Sequence, residues 1–437
     1  MARARRHPPL RVYQNDRLVG HLLKEPSGAI EFRYDREWLE RSRAFPVSLS
    51  LPLREEPWRG EPVVAVFENL LPDSDELRKR VAEKVGAAGV DAYSLLAAIG
   101  RDCIGALQFI DGNAEPEGAS TLSGEPVDDE AIERLLKSLA QAPLGLTRDD
   151  DFRISVAGAQ EKTALLWLDG QWLKPRGTTP TTHLFKTQIG KLANGIDLSN
   201  SVENEFYCLQ LLRHLGLRVN HARIATFGQT KTLVVERFDR AWSNGRLIRL
   251  PQEDCCQALS VPPARKYQSH GGPGIVAIAG LLKGADAPAE DHRALLQAQL
   301  VFWLIGAPDG HAKNFSIFLH RGGGYALTPL YDVLTAQPSL DARQIGRKQM
   351  KLAMSVGHGT HYRIDEIQAR HFFQTGDAAG LPPSLVRKAV EDIASRMESA
   401  LSSLESELPA DFPPALHESV SAGVARRMRI LLAGLET

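Results

Sequence analysis

One run of residues limits this chain more than any other: Asp309-Gly310-His311-Ala312-Lys313-Asn314, followed downstream by a second acid, Asp332. Between Asn314 and Asp332 lie Phe315-Ser316-Ile317-Phe318-Leu319, the turn Gly322-Gly323-Gly324 and the stretch 325–331. These fit two strands and a reversal, which brings Asp332 back beside Asn314. One amide oxygen and one carboxylate then suffice for Mg²⁺, a hard cation that keeps several waters and takes further ligands from phosphate oxygens. Asp and Asn are also ordinary cap and turn residues. The weight therefore rests on the arrangement and not on any one of the three.

With 437 residues the chain has room for two or three domains, each with its own core. A formal net charge of -1 gives no bulk attraction to nucleic acid or to an anionic membrane. The four cysteines, Cys103, Cys208, Cys255 and Cys256, form neither a C-x-x-C pair nor a secreted disulfide framework, and read as reduced, packed thiols. The start, Met1-Ala2-Arg3-Ala4-Arg5-Arg6-His7-Pro8, is basic but lacks the apolar stretch of a signal peptide. The best apolar run, 300–307, is too short to span a bilayer. A cytoplasmic enzyme without membrane association is the expectation.

The expected fold is α+β, in three parts. Residues 1–145 form a small N-terminal α+β subdomain, with strand-like runs at 10–13, 19–23 and 30–34. Its helix begins at Asp73, where Glu76 completes a capping-box pattern before Leu77, Val81 and Val85. Residues 111–126, rich in Gly, Glu, Ser and Pro, read as an exposed loop. A helix over 128–142 follows, with Ile132, Leu135, Leu136 and Leu139 on one stripe. Residues 146–240 are strand-rich, including Ala164-Leu165-Leu166-Trp167-Leu168 before an Asp169-Gly170 hairpin signal. Residues 241–437 read as mostly helical. Their stripe Leu385, Val386, Val390, Ile393, Met397, Leu401 and Leu404 suits an intramolecular core face better than a dimer seam.

The spacing D-x-x-x-x-N repeats that of a protein-kinase catalytic loop, where the acid accepts the substrate hydroxyl's proton and the amide oxygen holds a metal. A β-rich lobe followed by a helical lobe is the bilobal order of kinases. Lys186, in the alternating strand 182–187, is placed to pair with the α- and β-phosphates of ATP, though a solvated strand lysine has the same pattern. Glu203 or Glu205, in the first turn of the helix that follows, is a partner for it; acids there are also common for dipole reasons. Leu233-Val234-Val235-Glu236-Arg237-Phe238 is either the connection that offers its backbone to adenine or a plain core strand. Ser155-Val156-Ala157-Gly158-Ala159-Gln160-Glu161-Lys162 is a small-residue run able to bring N–H groups near phosphate, yet it matches no standard glycine-rich motif.

Taken with Leu250-Pro251-Gln252-Glu253-Asp254, Gly271-Gly272-Pro273-Gly274, Leu327-Thr328-Pro329-Leu330-Tyr331-Asp332, Asn69-Leu70-Leu71-Pro72-Asp73-Ser74 and Ile99-Gly100-Arg101-Asp102, these motifs resemble the HipA family over nearly the whole chain. That family comprises serine/threonine kinase toxins of bacterial toxin-antitoxin pairs. The resemblance implies ATP and Mg²⁺ as cofactors, Asp309 as the catalytic acid, and Asn314 and Asp332 on the metal. It further implies that Lys186 and Ala157, Gly158, Ala159, Gln160, Glu161 and Lys162 meet the phosphates. Glu236, Arg237 and Phe238 would supply backbone to adenine, with His311, Ala312, Lys313 and Tyr331 around the nucleotide. Ser155 matches the serine such kinases phosphorylate on themselves. The implied partners are a HipB-like DNA-binding antitoxin, operator DNA reached mainly through it, and an aminoacyl-tRNA synthetase as substrate, glutamyl-tRNA synthetase first.

Some positions depart from the family pattern. Pro308 stands before Asp309 where a Thr is usual, removing a hydroxyl and a backbone N–H. Residues 377–380 are not basic, which speaks against direct DNA contact there. Gln252, Glu253 and Asp254 match without an evident role beyond helix capping. A catalytically weak co-repressor, suggested only by Pro308, and a small-molecule kinase of the aminoglycoside type are the alternatives.

Overall fold

The computed structural model describes residues 7–112, 116, 122–146, 151–158 and 160–435. The chain folds as two compact units, the first from residues 1–187, 225–264 and 317–325, the second from 188–224, 265–316 and 326–437. None of the helices among the described residues is long and apolar enough to cross a membrane. All four cysteines are buried free thiols.

In the first unit, a five-stranded sheet runs in the order Trp58–Arg59, Ile30–Tyr34, Arg17–Lys24, Leu10–Gln14, Leu107–Ile110. Phe32, Phe67 and Phe109 pack together on one side of it, fully buried. The helix Asp75–Val85 is capped by Ser74, whose hydroxyl accepts the Leu77 N–H. The cap therefore sits one residue beyond the Asp73 start read from sequence, because the Asp73 N–H is already engaged by the Gly158 carbonyl at 3.4 Å.

A six-stranded sheet is ordered Ala222–Phe227, Thr230–Glu236, His183–Thr187, Lys162–Leu168, Gln171–Pro175, Gly124–Pro126. The Asp169-Gly170 reversal joins two of its strands, with φ of 49° and 82°. The edge strand Gly124–Pro126 lies in the segment read as loop; it pairs through main chain with residues 173–175, so its polar side chains carry no strand signal. The helix Asp129–Ser138, capped by Asp128, lays Ile132 and Leu136 on Leu165, Trp172, Phe185 and Val234 of the sheet.

A buried ion cluster closes this unit. Asp102 meets Arg237 at 3.2 Å, Arg240 at 2.8 Å and Arg249 at 3.0 Å, and Asp239 meets Arg237 at 2.7 Å and Arg240 at 3.1 Å. Thr181 adds N–H and O–H donations to Asp102, and the guanidiniums also donate to the Cys103, Gly105 and Thr178 carbonyls. Three adjacent guanidiniums hold the Asp102 carboxyl far below the usual range despite its burial. Burial and the Arg237 charge together lower Arg240 to about 10.

Glu253, from the motif without an assigned role, lies in the same unit. Its Oε1 accepts the Leu49 N–H at 2.8 Å, while Oε2 is buried with no hydrogen-bond partner among the described residues. Asp254 next to it is a helix cap, its carboxylate taking the Gln257 N–H while Gln257 returns a bond to the Asp254 N–H.

The second unit is built on the helix Pro288–Ile305, which is buried along most of its length. Ile275–Leu282, Pro383–Glu407 and Pro414–Ala433 pack around it. The stripe Val386, Val390, Ile393, Met397 and Leu404 is buried within this unit, an intramolecular face as read. A strand pair, Lys351–Val356 with His361–Arg363, interrupts the region read as mostly helical. Its apolar alternation is short and irregular in register, which hides it from a period-2 reading.

Two outcomes follow. Asp102→Asn leaves three buried guanidiniums facing one carboxylate and should cost about 3–5 kcal/mol of stability in denaturant titration. Burial raises the Glu253 carboxyl from 4.5 to about 8, so it is neutral in the folded state and folding takes up a proton. The stability it contributes is complete below pH 4.5 and is lost as pH rises toward 8, at up to about 1.4 kcal/mol per pH unit. Glu253→Gln should flatten that slope in unfolding curves measured across the window.

Candidate active site

The residues singled out from sequence divide between the two units, and each half is described by itself. In the second unit, the helix Pro288–Ile305 stops at Gly306, whose φ is 73°. The Ala307 N–H returns to the Phe302 carbonyl at 2.8 Å and the Gly306 N–H to that of Trp303 at 3.3 Å, the paired bonds of a Schellman stop. Pro308 comes directly after, a position where proline is common because the helix has already ended. It therefore has a local role in launching the Asp309 loop.

Asp309 is exposed at the start of that loop. A Cβ on Gly310 would lie 2.4 Å from the buried Phe302 ring, so the chain passes the helix closer than any side chain allows. His311, Ala312, Lys313 and Asn314 are buried beyond it, held by the His311 N–H on the Asp309 carbonyl and the Asn314 N–H on that of His311, both 2.8 Å.

The Asn314 amide fixes the cluster. Its Nδ2 donates to the Asp309 carbonyl at 3.1 Å and to the Asp332 carbonyl at 3.2 Å. Both neighbours are acceptors, so the NH₂ must face them and Oδ1 is turned the other way. The reversal between the two residues is a hairpin, closed at its tip by the His320 N–H on Gly324 and at its base by the Thr328 N–H on Ser316. Asp332 has φ of 59°, a left-handed conformation that Asp adopts more readily than most residues and that is often found at functional sites. Tyr331 donates its hydroxyl to the Lys313 carbonyl at 2.7 Å and meets the Ser316 hydroxyl at 2.6 Å, locking the hairpin base. One amide oxygen and one carboxylate at this turn suit a hard, partly hydrated Mg²⁺. No group of three or more His, Cys, Asp or Glu suited to a metal occurs among the described residues.

Two residues here were not read from sequence. Tyr267 donates its hydroxyl to Asp309 Oδ1, and its ring meets His311 edge-on at 5.0 Å. It precedes the Gly271-Gly272-Pro273-Gly274 run, the only cue to its place. Asn204 makes a reciprocal pair with the Thr335 backbone at 2.8 and 2.9 Å, fixing the chain just after Asp332. A polar side chain within the buried helix Ser201–His214 was the available signal. Glu203 and Glu205 are buried in the same helix.

In the first unit, Lys162 and Lys186 are direct partners across the antiparallel pairing of their strands, and both are buried. Lys162 Nζ donates to the Ala157 carbonyl at 2.8 Å, and Gln160 Nε2 donates to the Thr187 carbonyl at 2.8 Å. Glu161 pairs with Arg80 at 3.3 Å. Gly158 has φ of 107°. Ala159 lies outside the described residues. Ser155 is fully buried, its hydroxyl donated to the Leu70 carbonyl at 2.7 Å and its N–H to that of Asp102 at 3.0 Å. Glu236 ends its strand exposed, and Phe238 meets Phe318 edge-on at 5.7 Å. Arg237 between them is committed twice, its N–H to Thr182 at 2.8 Å and its guanidinium to the buried cluster. Its side chain therefore serves the fold.

Residues 154–401 match the HipA-like C-terminal domain and residues 10–110 the HipA N-terminal domain. The chain belongs to the HipA family. Relatives include Y4mE of Sinorhizobium fredii, classed by name among kinases, 34% identical over 399 residues and 90% of each chain. The serine/threonine-protein kinase toxin HipA of Shewanella oneidensis is 28% identical over 446 residues, 98% of this chain and 95% of that one. The fold is likewise that of HipA as solved in the Shewanella oneidensis complex of HipA, HipB and operator DNA, with a TM-score of 0.80, 26% identity and 97% of each chain covered.

Gly310→Ala should lower stability by about 1–3 kcal/mol, the usual cost of overpacking against a fixed ring. Thermal unfolding of the purified variant checks this.

Proposed function

We propose that this chain is an ATP- and Mg²⁺-dependent serine/threonine protein kinase that acts as a growth-arresting toxin restrained by a small antitoxin. The observation that carries the reading is the cluster of Asp309, Asn314 and Asp332, held together by the two donations of one amide. Mg²⁺ bound there would neutralise charge on the β- and γ-phosphates during transfer. Asn314 Oδ1 and the Asp332 carboxylate would hold it. Asp309, exposed and oriented by the Tyr267 hydroxyl, would accept the proton of a serine or threonine hydroxyl as its oxygen bonds to the γ-phosphorus and the bond to the ADP oxygen breaks.

Lys162 and Lys186 face each other across adjacent strands, which puts two cationic side chains on one face of the sheet. This supports Lys162 and Lys186 as phosphate-binding groups, with the Ala157 carbonyl already on Lys162 and residues 157–162 assigned to the phosphates as well. Because the Arg237 N–H is already donated, adenine contacts would fall to the backbone of Glu236 and Phe238. His311, Ala312, Lys313 and Tyr331 would shape the nucleotide's surroundings.

The relative solved with HipB and operator DNA supports a HipB-like antitoxin as partner and a role in repression with it. A net charge of -1 favours DNA binding mainly through that partner. An aminoacyl-tRNA synthetase, glutamyl-tRNA synthetase first, is assigned as target on family resemblance alone. Self-phosphorylation is assigned to Ser155. Because its hydroxyl is fully buried, the segment must leave its seat before it can react, and a phosphate carrying about -1.5 to -2 charges would oppose its return. Modification there would switch the kinase off. Pro308 directly follows the helix stop, which supports a backbone role for it and favours the catalytic reading over a catalytically weak co-repressor.

Intact-mass analysis after incubation with Mg²⁺ and ATP tests transfer and self-modification together. Asp309→Asn should lower the rate roughly 10²- to 10⁴-fold with nucleotide affinity nearly unchanged. Asp332→Ala should instead weaken Mg²⁺-dependent nucleotide binding in calorimetry. Wild-type turnover in the first variant, or unaltered affinity in the second, rejects the assignment.

A further inference from the structure

Away from these residues, the first unit has a half-open pocket of about 690 Å³ between the Asn15 turn, the segment 41–45, the strand end 248–251 and the hairpin tip 319–321. Arg17, Arg41, Arg43 and Arg321 line it, and neither Asp nor Glu is among its lining residues. None of these four guanidiniums has a hydrogen-bond or ion-pair partner among the described residues. The contrast within the unit is clear: Arg59, Arg80, Arg101 and Arg246 are each paired with an acid. Arg249, which also reaches the wall, is committed to Asp102, and Asn15 is clamped to the Arg249 backbone at 2.7 and 2.8 Å. The floor is thus rigid while the charges above it are uncompensated.

Four like charges around one concavity repel one another, and a bound polyanion turns that repulsion into attraction. Arginine's planar fork matches phosphate oxygens two at a time. The volume falls within the range of small-molecule sites, roughly 300–1,000 Å³. Trp38 and Phe45 add an apolar side to the wall. A duplex would call for basic residues spread along a face and spaced to its phosphates, whereas these converge on a hollow.

We propose that this cavity binds a small molecule carrying two or more phosphates, at residues separate from the Asp309, Asn314 and Asp332 cluster and from the Lys162 and Lys186 pair. The inference does not depend on the kinase reading. Inorganic tripolyphosphate, titrated calorimetrically into the full chain without Mg²⁺, is the probe. The wild type should show a saturable binding event that Arg41→Ala/Arg43→Ala abolishes or weakens by about tenfold or more. Arg321→Ala, on a different element, should weaken the same event. Unfolding midpoints in phosphate-free buffer verify that both variants fold, since the side chains removed are exposed and bond to nothing described. Absence of saturable binding, or equal binding by wild type and both variants, overturns the proposal. So does a short DNA duplex whose binding is lost in the same variants while tripolyphosphate fails to compete with it.

Discussion

The first unit depends on one buried carboxylate. Asp102 sits at the end of a short motif in the N-terminal part of the chain, yet its three guanidinium partners come from residues 237–249. A buried charge without partners costs several kcal/mol, so the segments that supply those partners have little freedom to sit elsewhere. The consequences spread outward. Ser155 pairs with Cys103 and donates to the Asp102 carbonyl, which seats the start of the small-residue loop. Arg249 carries Asn15 and the floor of the basic cavity. Arg237 pins the exit of the Thr230–Glu236 strand. The cluster holds three guanidiniums and two carboxylates, and burial, with the neighbouring Arg237 charge, makes the Arg240 guanidinium hold its proton less tightly than usual.

The second unit has a smaller keystone. Asn314 joins the loop after the buried helix to the far end of a hairpin, and both of its bonds go to main-chain oxygen. Neither bond uses the side chain of Asp309 or Asp332, while the backbone beneath is fixed. Tyr331 and Asn204 secure the two flanks of Asp332, which keeps a left-handed backbone in place. Such a conformation persists only where surrounding bonds over-determine it. The arrangement explains how an exposed acid can sit on a rigid base.

Some of this was legible in the residues because it is local. The Asp169-Gly170 reversal, the buried stripe from Val386 to Leu404 and the return of Asp332 to Asn314 all follow from near neighbours. Other features misled for equally physical reasons. The helix read from Asp73 starts after Ser74, since a contact with Gly158 takes the Asp73 N–H. The strand Gly124–Pro126 is made by main-chain pairing alone and leaves no mark on its side chains. Lys351–Val356 lies in a stretch read as mostly helical, and is too short for its period to register.

By itself the sequence determined the motif spacing, the short-range turns and caps, and hence a family and a list of polar residues with a chemistry. Bond geometry over a few residues suffices for that. Only the tertiary structure decided which of those residues are committed and which remain available. Arg237 and Asp254 prove to be bonded within the fold, Ser155 is sealed, and Tyr267 joins Asp309 from 42 residues away. Four arginines scattered from 17 to 321 come to share one cavity. Burial and charge proximity are properties of three-dimensional neighbours, and the energies that distinguish a structural charge from a functional one arise only when the chain has brought those neighbours together.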